Sequence, residues 1–402
     1  MTTEASVGRI AFVVPRYGTE VVGGAETLCR MLAEDVARHG TPIDVLTTCA
    51  TNHFTWANEL PEGTSLENGV TVRRFPVGPR DADRFLVRHS AIDCGAQLPY
   101  GEQVEWMADS VWAPGILGAG ADYDWLIPMP YLFGTAFWTA VAYPDKTVMI
   151  PCLHDEHHAA QPVVLDALAS CRGVMLNAPG EGVLLERLLA SHRGGTALRN
   201  TPVVVGGGFD EEPVPGRSHV DDFCRRHGAE SGYLLYAGRR ERAKGLVTLF
   251  DYYRVYRATT EQPLPLALMG SGDTLPPPDI ATHVIDLGFV PTEDRARAYA
   301  GASVLIQPSR LESFGLVVFE SWLAGTPVIV NRQSDVLRGH CEQSGGGLWY
   351  SDAPSFCEAV RLVTESDAVR TRLAEAGRRY TLTEFKWSAV RRRFLDALAM
   401  WA

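Results

Sequence analysis

The chain contains no apolar run approaching the roughly 18 to 20 residues that a helical membrane span requires, so an integral helical membrane protein is not expected. Its eight cysteines, scattered from Cys29 to Cys357, show no CxxC spacing and no dense framework. That sets aside zinc ribbons and disulfide scaffolds and leaves the cysteines as small core residues. Basic residues are not in excess: 37 Lys and Arg stand against 48 Asp and Glu, for a formal net charge of -11. This argues against nucleic acid as the main partner, because a phosphate backbone selects for clustered cations, but it does not forbid a local basic pocket. The GxGxxG of dinucleotide binding is missing, which disfavours a nicotinamide dehydrogenase. There is no repeat of short period and no low-complexity segment. The opening MTTEASVGRI lacks the basic start and apolar centre of a secretory signal, and a cytoplasmic location is expected.

What is present is a chain of 402 residues, 46% hydrophobic and 21% charged, long enough for two globular domains with separate cores. Short apolar runs alternate with amphipathic helical stretches, the pattern of βα units that build parallel sheets. Strands are expected at 10–14, 43–47, 70–75, 125–128, 146–150, 173–176 and 202–205, with a tight turn at Asn68-Gly69. A helix from Ala25 to His39 carries Leu28, Met31, Leu32 and Val36 at helical spacing before a stop at Gly40. The stretch 78–120 reads as a helical excursion. A second series restarts near Tyr233, with strands at 233–236, 265–269, 283–287, 303–307 and 327–330 and helices at about 245–258, 293–300 and 315–324. Two series imply two domains, and GGGFDEEPVPGRS, residues 206–218, is the linker candidate. A closing helix is expected over 386–400.

Three segments carry chemistry. In Tyr17 to Glu26, between the first strand and first helix, adjacent Gly23 and Gly24 let backbone approach a ligand, and the helix N-terminus offers free N–H groups to a diphosphate. The structural alternative is a plain turn. In YAGRRERAKG, residues 236–245, Arg239 and Lys244 stand five positions apart after a strand and can converge on one pyrophosphate; the alternative is a solvated cationic loop. In PSRLESFGLVVFE, residues 308–320, an apolar strand ends, a polar loop holds Glu312, and a helix begins near Gly315 with Glu320 about one and a half turns in. Glu312 then sits at the carboxyl edge of a strand, where ligands of open α/β sheets bind. The N–H groups from Phe314 to Val317 would face an anion while carboxylates accept from sugar hydroxyls, though a lone carboxylate there also serves as a helix cap.

With FG between Glu312 and Glu320, this last segment resembles the EX7E motif of glycosyltransferase family 4, retaining enzymes of GT-B fold. VGGAE near the start, YAGRRERAKG, MGSGD at 269–273, LGFV at 287–290 and ESFGLVVFESWLAGTPVIV extend the resemblance over nearly the whole chain. It implies two Rossmann-like domains facing across a cleft, residues 1–207 on the acceptor side and 208–384 binding the nucleotide sugar, with a helix at 385–402 crossing back to the first. It also implies transfer of a hexosyl group from a nucleoside diphosphate sugar, with uridine as the guessed base, to an acceptor hydroxyl with retention of configuration. By the resemblance, Gly23 and Gly24 meet donor phosphate, and Arg239 with Lys244 neutralises the diphosphate. Glu312 holds sugar hydroxyls; Ser313 and the backbone of Phe314, Gly315 and Leu316 line sugar and phosphate; Glu320 grips the ribose; Val290 lies where the base is read. His154, in IPCLHDEHH, aligns with the histidine beside the anomeric carbon.

The sequence departs from the family at VGGGFD, where relatives have a PNGVD-like turn. His154, His157 and His158 with Asp155 admit a metal-binding alternative, but His-x-x-His-His lies on no single helical face. Asp122-Tyr123-Asp124 imitates a DXD metal motif yet leads straight into a strand, so it is read as a turn. No metal and no cofactor are expected; the partners are the donor and a carbohydrate, lipid-linked or small-molecule acceptor. Arg391-Arg392-Arg393 is compatible with a membrane surface, or with a packed terminal helix. A sugar-nucleotide epimerase, a glycosyl phosphorylase and a non-catalytic nucleotide-sugar-binding protein remain as alternatives on the same architecture.

Overall fold

The structure is a computed structural model that describes residues 8–21, 23–192 and 197–402. Most of the N-terminal stretch read for a signal, residues 1–7, and Val22 of the first glycine segment lie outside the described residues. The chain divides into two compact units, Met1–Gly208 with Trp387–Ala402, and Phe209–Lys386.

The first unit holds strands β1 (Ile10–Val13), β2 (Ile43–Thr48), β3 (Gly63–Glu67), β4 (Val70–Phe75), β5 (Trp125–Pro128), β6 (Val148–Met149), β7 (Gly173–Leu176) and β8 (Val203–Val204). Its helices are α1 (Gly24–Arg38), α2 (Ala82–Asp93), α3 (Tyr100–Asp109), α4 (Pro114–Gly120), α5 (Gly134–Ala142), α6 (Pro162–Ser170) and α7 (Pro179–Ser191). One sheet runs β3-β4-β2-β1-β5 and another β6-β7-β8. A parallel bridge from Leu126 to Thr147 joins the last strand of the first sheet to the approach of β6. Every pairing is parallel except β3 with β4. β1 and β5, IAFV and WLIP, are buried along their whole length, as strands covered by helices on both faces must be. The stretch 78–120 contains α2, α3 and α4 and no strand, which agrees with the helical excursion expected there.

The second unit holds α8 (Arg217–Arg226), β9 (Tyr233–Ala237), α9 (Leu246–Thr259), β10 (Leu266–Met269), α10 (Pro278–Ala281), β11 (Val284–Gly288), α11 (Thr292–Ala300) and β12 (Ala302–Gln307). It continues with α12 (Leu316–Leu323), β13 (Val328–Asn331), α13 (Asp335–Ser344), β14 (Gly347–Tyr350), α14 (Ala353–Thr364) and α15 (Asp367–Glu384). Its sheet is parallel throughout, in the order β11-β10-β9-β12-β13-β14. This is the doubly wound arrangement whose strand order reverses between β9 and β12, and the crevice beyond the carboxyl ends of those two strands is where such sheets bind ligands.

The final helix, α16 (Trp387–Trp401), belongs to the first unit. Phe394 stacks on Phe12 of β1 with centroids 5.7 Å apart, and Arg391 reaches the buried Asp35 of α1 at 2.6 Å. Arg393 donates to the Val205 carbonyl at 2.9 Å, so two of the three arginines considered for a membrane surface are engaged within the protein. No helix among the described residues is long and apolar enough to cross a membrane. The eight cysteines are free thiols; only Cys94 is exposed and Cys357 half-buried.

Three features depart from the expected elements. β3 is a polar, exposed antiparallel edge strand, GTSLE, which carries no apolar signal and pairs across the turn at Asn68-Gly69. β14, GLWY, is short and begins on a glycine. The linker candidate 206–218 is irregular only as far as Gly216, because α8 begins at Arg217.

Candidate functional site

In the second unit the loops that follow β9 and β12 meet. Gly238, at φ 142, turns the chain off β9; a short 3-10 turn, Arg242–Lys244, then leads to Gly245 in the left-handed region. A Cβ at Gly245 would lie 2.6 Å from the Pro308 carbonyl oxygen, so glycine is what lets this loop rest against the end of β12. The contact brings Lys244 Nζ to 2.7 Å from Glu312 Oε1, with both side chains mostly buried. Thus two residues singled out independently in the sequence, 68 positions apart, form one charge-assisted hydrogen bond at the reversal of strand order.

The neighbouring arginines have different fates. Arg239 is half-exposed and pairs with Glu241 at 2.8 Å. Arg240 is buried, donates to Asp286 and to the Leu268 carbonyl, and ties β9 to β10 and β11. The Arg240 guanidinium, through its hydrogen bond, holds the Asp286 carboxyl below the usual range. The MGSGD loop packs behind: a Cβ at Gly270, φ 126, would stand 2.0 Å from the Gly238 oxygen.

On the β12 side, Gly315 is left-handed at φ 86 and opens α12, with Leu316 as its first residue. Phe314 is buried in an aromatic cluster, its ring 4.6 Å from Phe319 and 5.4 Å from Phe385. Phe314 directly follows Ser313, so this cluster fixes the end of the Glu312-Ser313 segment. Glu320, in the second turn of α12, accepts from Tyr299 Oη at 2.6 Å and has Arg295 at 4.0 Å. Burial pushes its carboxyl above the usual range, against the lowering effect of that hydroxyl and the arginine. Val290 is buried just after β11, its carbonyl accepting from Arg295, and its neighbour Phe289 is exposed. Tyr299 and Arg295 were not singled out in the sequence, since a tyrosine and an arginine on an amphipathic helix carry no local signal.

In the first unit, Gly23 caps α1 with Gly24 as its first residue, and a Cβ at Gly23 would collide with the Glu26 carboxylate at 2.1 Å. Glu26 is paired with the buried Arg16. His154 follows β6 and is partly exposed, with Glu156 at 3.8 Å from its Nδ1. Glu156 in turn accepts from the buried Tyr131 at 2.7 Å. The preceding residues are fixed by Glu181 of α7, a fully buried carboxylate that accepts from the Leu153 and Asn177 amides at 2.6 Å each. Burial pushes the Glu181 carboxyl up to about 8, although amides at Asn177, Leu153 and Ala178 favour its charged form.

His158 packs against α2. It is buried, stacks on His89 with centroids 4.0 Å apart and planes at 25°, and lies near Asp93. His89, Asp93 and His158 have potential ligand atoms within 4.8 Å of one another. Near-parallel stacked imidazoles, however, do not direct their nitrogen lone pairs at a common point. Asp122, Tyr123 and Asp124 form a turn into β5: Asp124 accepts from the Arg9 amide at 2.7 Å and Tyr123 donates to Asp44 at 2.6 Å.

Residues 222–380 match the family of glycosyl transferases group 1. The chain is 26% identical to a D-inositol 3-phosphate glycosyltransferase of Jonesia denitrificans, over 92% of this chain and 89% of that protein. It is 24% identical to a glycogen synthase of Mycobacterium tuberculosis, over 95% and 92%. Among solved structures, Anabaena HepE in complex with UDP is similar at a TM-score of 0.70 and 15% identity, covering 98% of this chain and 100% of that one. Sucrose-phosphate synthase of Thermosynechococcus elongatus is similar at 0.71 and 18%, covering 98% of each. With two α/β units and structural similarity running nearly end to end, the chain has the GT-B fold, and its residues 222–380 carry the match to glycosyl transferases group 1.

Proposed function

We propose that the protein transfers a hexosyl group from a nucleoside diphosphate sugar, a UDP-sugar, to an acceptor hydroxyl with retention of anomeric configuration. The observation that carries this reading is the 2.7 Å contact between Lys244 and Glu312, which joins a cationic loop to a carboxylate loop at the ligand-binding edge of a doubly wound sheet. A diphosphate needs the first and a sugar hydroxyl the second. The similarity to HepE, which has been solved with UDP and with UDP-glucose, supports the uridine donor.

In this reading the Lys244 ammonium and the Arg239 guanidinium face the leaving diphosphate, where charge develops as the bond breaks. The α12 N-terminus, opened by Gly315, adds N–H groups from Leu316 onward. Glu312 accepts from sugar hydroxyls, with Ser313 and the Phe314 and Gly315 backbone beside it; Glu320 accepts from the ribose, and Val290 lies beside the base. Gly23 and Gly24 take phosphate at the start of α1, and His154 stands by the anomeric carbon. The acceptor oxygen attacks the anomeric carbon on the face from which the diphosphate leaves. The carbon–oxygen bond to phosphate breaks, the new glycosidic bond forms, and the acceptor proton passes to the departing phosphate oxygen.

NMR of the first-formed product from a UDP-sugar of defined anomer reads the stereochemistry; inversion refutes the mechanism. Because side-chain cations and helix N-termini serve the diphosphate, turnover should be unchanged in excess EDTA. Activity lost to EDTA and restored by a divalent cation would overturn metal independence.

A further inference from the structure

Glu181 is a fully buried carboxylate on a helix whose Leu184, Leu185 and Leu188 belong to an apolar core cluster that also holds Leu153. It occupies the third position of α7, after Ala178, whose own side chain provides no cap, and Pro179. Helix capping accounts for one oxygen: Oε2 accepts from the Asn177 amide just ahead of the helix. It does not account for the other, because Oε1 crosses to β6's trailing loop and accepts from the Leu153 amide, the residue directly before His154. The same loop is tied a second time, where Asn177 Nδ2 approaches Cys152 Sγ at 3.3 Å. Cys152 itself is held at φ 54, a left-handed conformation that a non-glycine residue keeps only when its surroundings impose it. Burying a carboxylate with no side-chain cation among the partners described above is costly, and a neutral cap would secure α7 alone without that cost.

We infer that Glu181 is a positioning residue for the transfer reaction: its two oxygens clamp the carboxyl ends of β6 and β7 together and thereby set the direction in which His154 is presented. This rests on the reading of His154 as the residue beside the anomeric carbon. Glutamine is the diagnostic replacement. Its carbonyl satisfies one amide, while its NH2 group meets the other donor head-on, so the clamp opens on one side with side-chain size unchanged.

The test compares Glu181→Gln, His154→Ala and the double variant, measuring kcat and KM for a UDP-sugar and UDP affinity by calorimetry. Glu181→Gln should lower kcat about 10- to 100-fold, as a misdirected group does. UDP affinity should stay at the wild-type value, since the groups assigned to the diphosphate lie mainly in the other unit. If Glu181 acts through His154, the double variant should be no slower than His154→Ala; multiplying effects would overturn the inference, as would Glu181→Gln with wild-type kcat. Where His154→Ala falls below detection, the kcat and UDP readings of Glu181→Gln decide alone. Where Glu181→Gln does not fold, Asn177→Ala, which cuts the second tie, takes its place with the same expected split, and a wild-type kcat overturns the inference. A wild-type kcat for His154→Ala would instead remove the reading of His154 on which the inference stands.

Discussion

Replacing Lys244 by methionine keeps the aliphatic stem and removes the ammonium 2.7 Å from Glu312. At an effective dielectric near 20, two unit charges at that distance attract with about 6 kcal/mol before desolvation is charged against them. Breaking a fully buried pair costs about 3 to 5 kcal/mol, and an exposed pair about 0 to 1. Side-chain exposures of 23% and 14% place this pair between those limits. Lys244→Met should therefore lower stability by about 1 to 3 kcal/mol in urea unfolding. If Lys244 faces the leaving diphosphate as proposed, its loss should lower kcat by about 10²- to 10³-fold. The double variant Lys244→Met, Glu312→Gln separates the two roles. Neutralising Glu312 should restore most of the lost stability, because no carboxylate is then deprived of its ammonium, yet it should restore none of the turnover. If Lys244→Met kept the wild-type kcat while losing stability, Lys244 would be only a counter-ion for Glu312, and the assignment to the diphosphate would fail.

Gly270→Ala places a Cβ 2.0 Å from a carbonyl oxygen in a left-handed segment and should cost more than about 2 kcal/mol in chemical unfolding; an unchanged midpoint would refute the packing described. Tyr299→Phe removes the hydroxyl donor 2.6 Å from Glu320, worth about 1 to 2 kcal/mol, and should raise the donor KM about 5- to 30-fold with kcat little changed. A KM at the wild-type value would exclude the coupling. Asp286 has a folded pKa lowered by Arg240, so its contribution is present above the unfolded carboxylate value and is lost as pH falls through the lowered one. Since that carboxyl is 62% exposed, the stability gap between wild type and Asp286→Asn should be under about 1 kcal/mol at pH 6 and should close toward pH 3. A gap that widened on acidification would contradict the sign.

Much of the architecture could be read from the sequence because buried parallel strands announce themselves. YLLYA and the apolar part of ASVLIQ are continuous apolar runs bounded by glycine and proline, and they became the central pair β9 and β12. GTSLE could not be read in this way: an edge strand facing water has no periodicity to display, and only its partner VTVRRF marks it. The candidate site divides along the same line. Glycine and charge patterns located both loops of the second unit, but not the fact that Lys244 and Glu312 touch, since that depends on the register of β12 against β9. Nor does the string Arg239-Arg240 tell which guanidinium turns inward; Asp286, which decides it, belongs to another strand. Glu181 gave no sign at all, because an acidic residue in the first turn of a helix is ordinarily a solvated partner of the dipole.

The last helix has a consequence for the order in which the molecule can be made. A Cβ at Gly208 would lie 2.2 Å from the Trp387 ring, and a Cβ at Gly173 would lie 2.5 Å from Trp401. The surface they line therefore receives a helix synthesised after the whole of the second unit. A ribosome that has finished residues 1–208 has released a fold lacking its lid, with Phe12 deprived of Phe394 and the buried Asp35 deprived of Arg391. The unit translated first is thus completed only after the second unit has been made, and removing α16 injures the first unit.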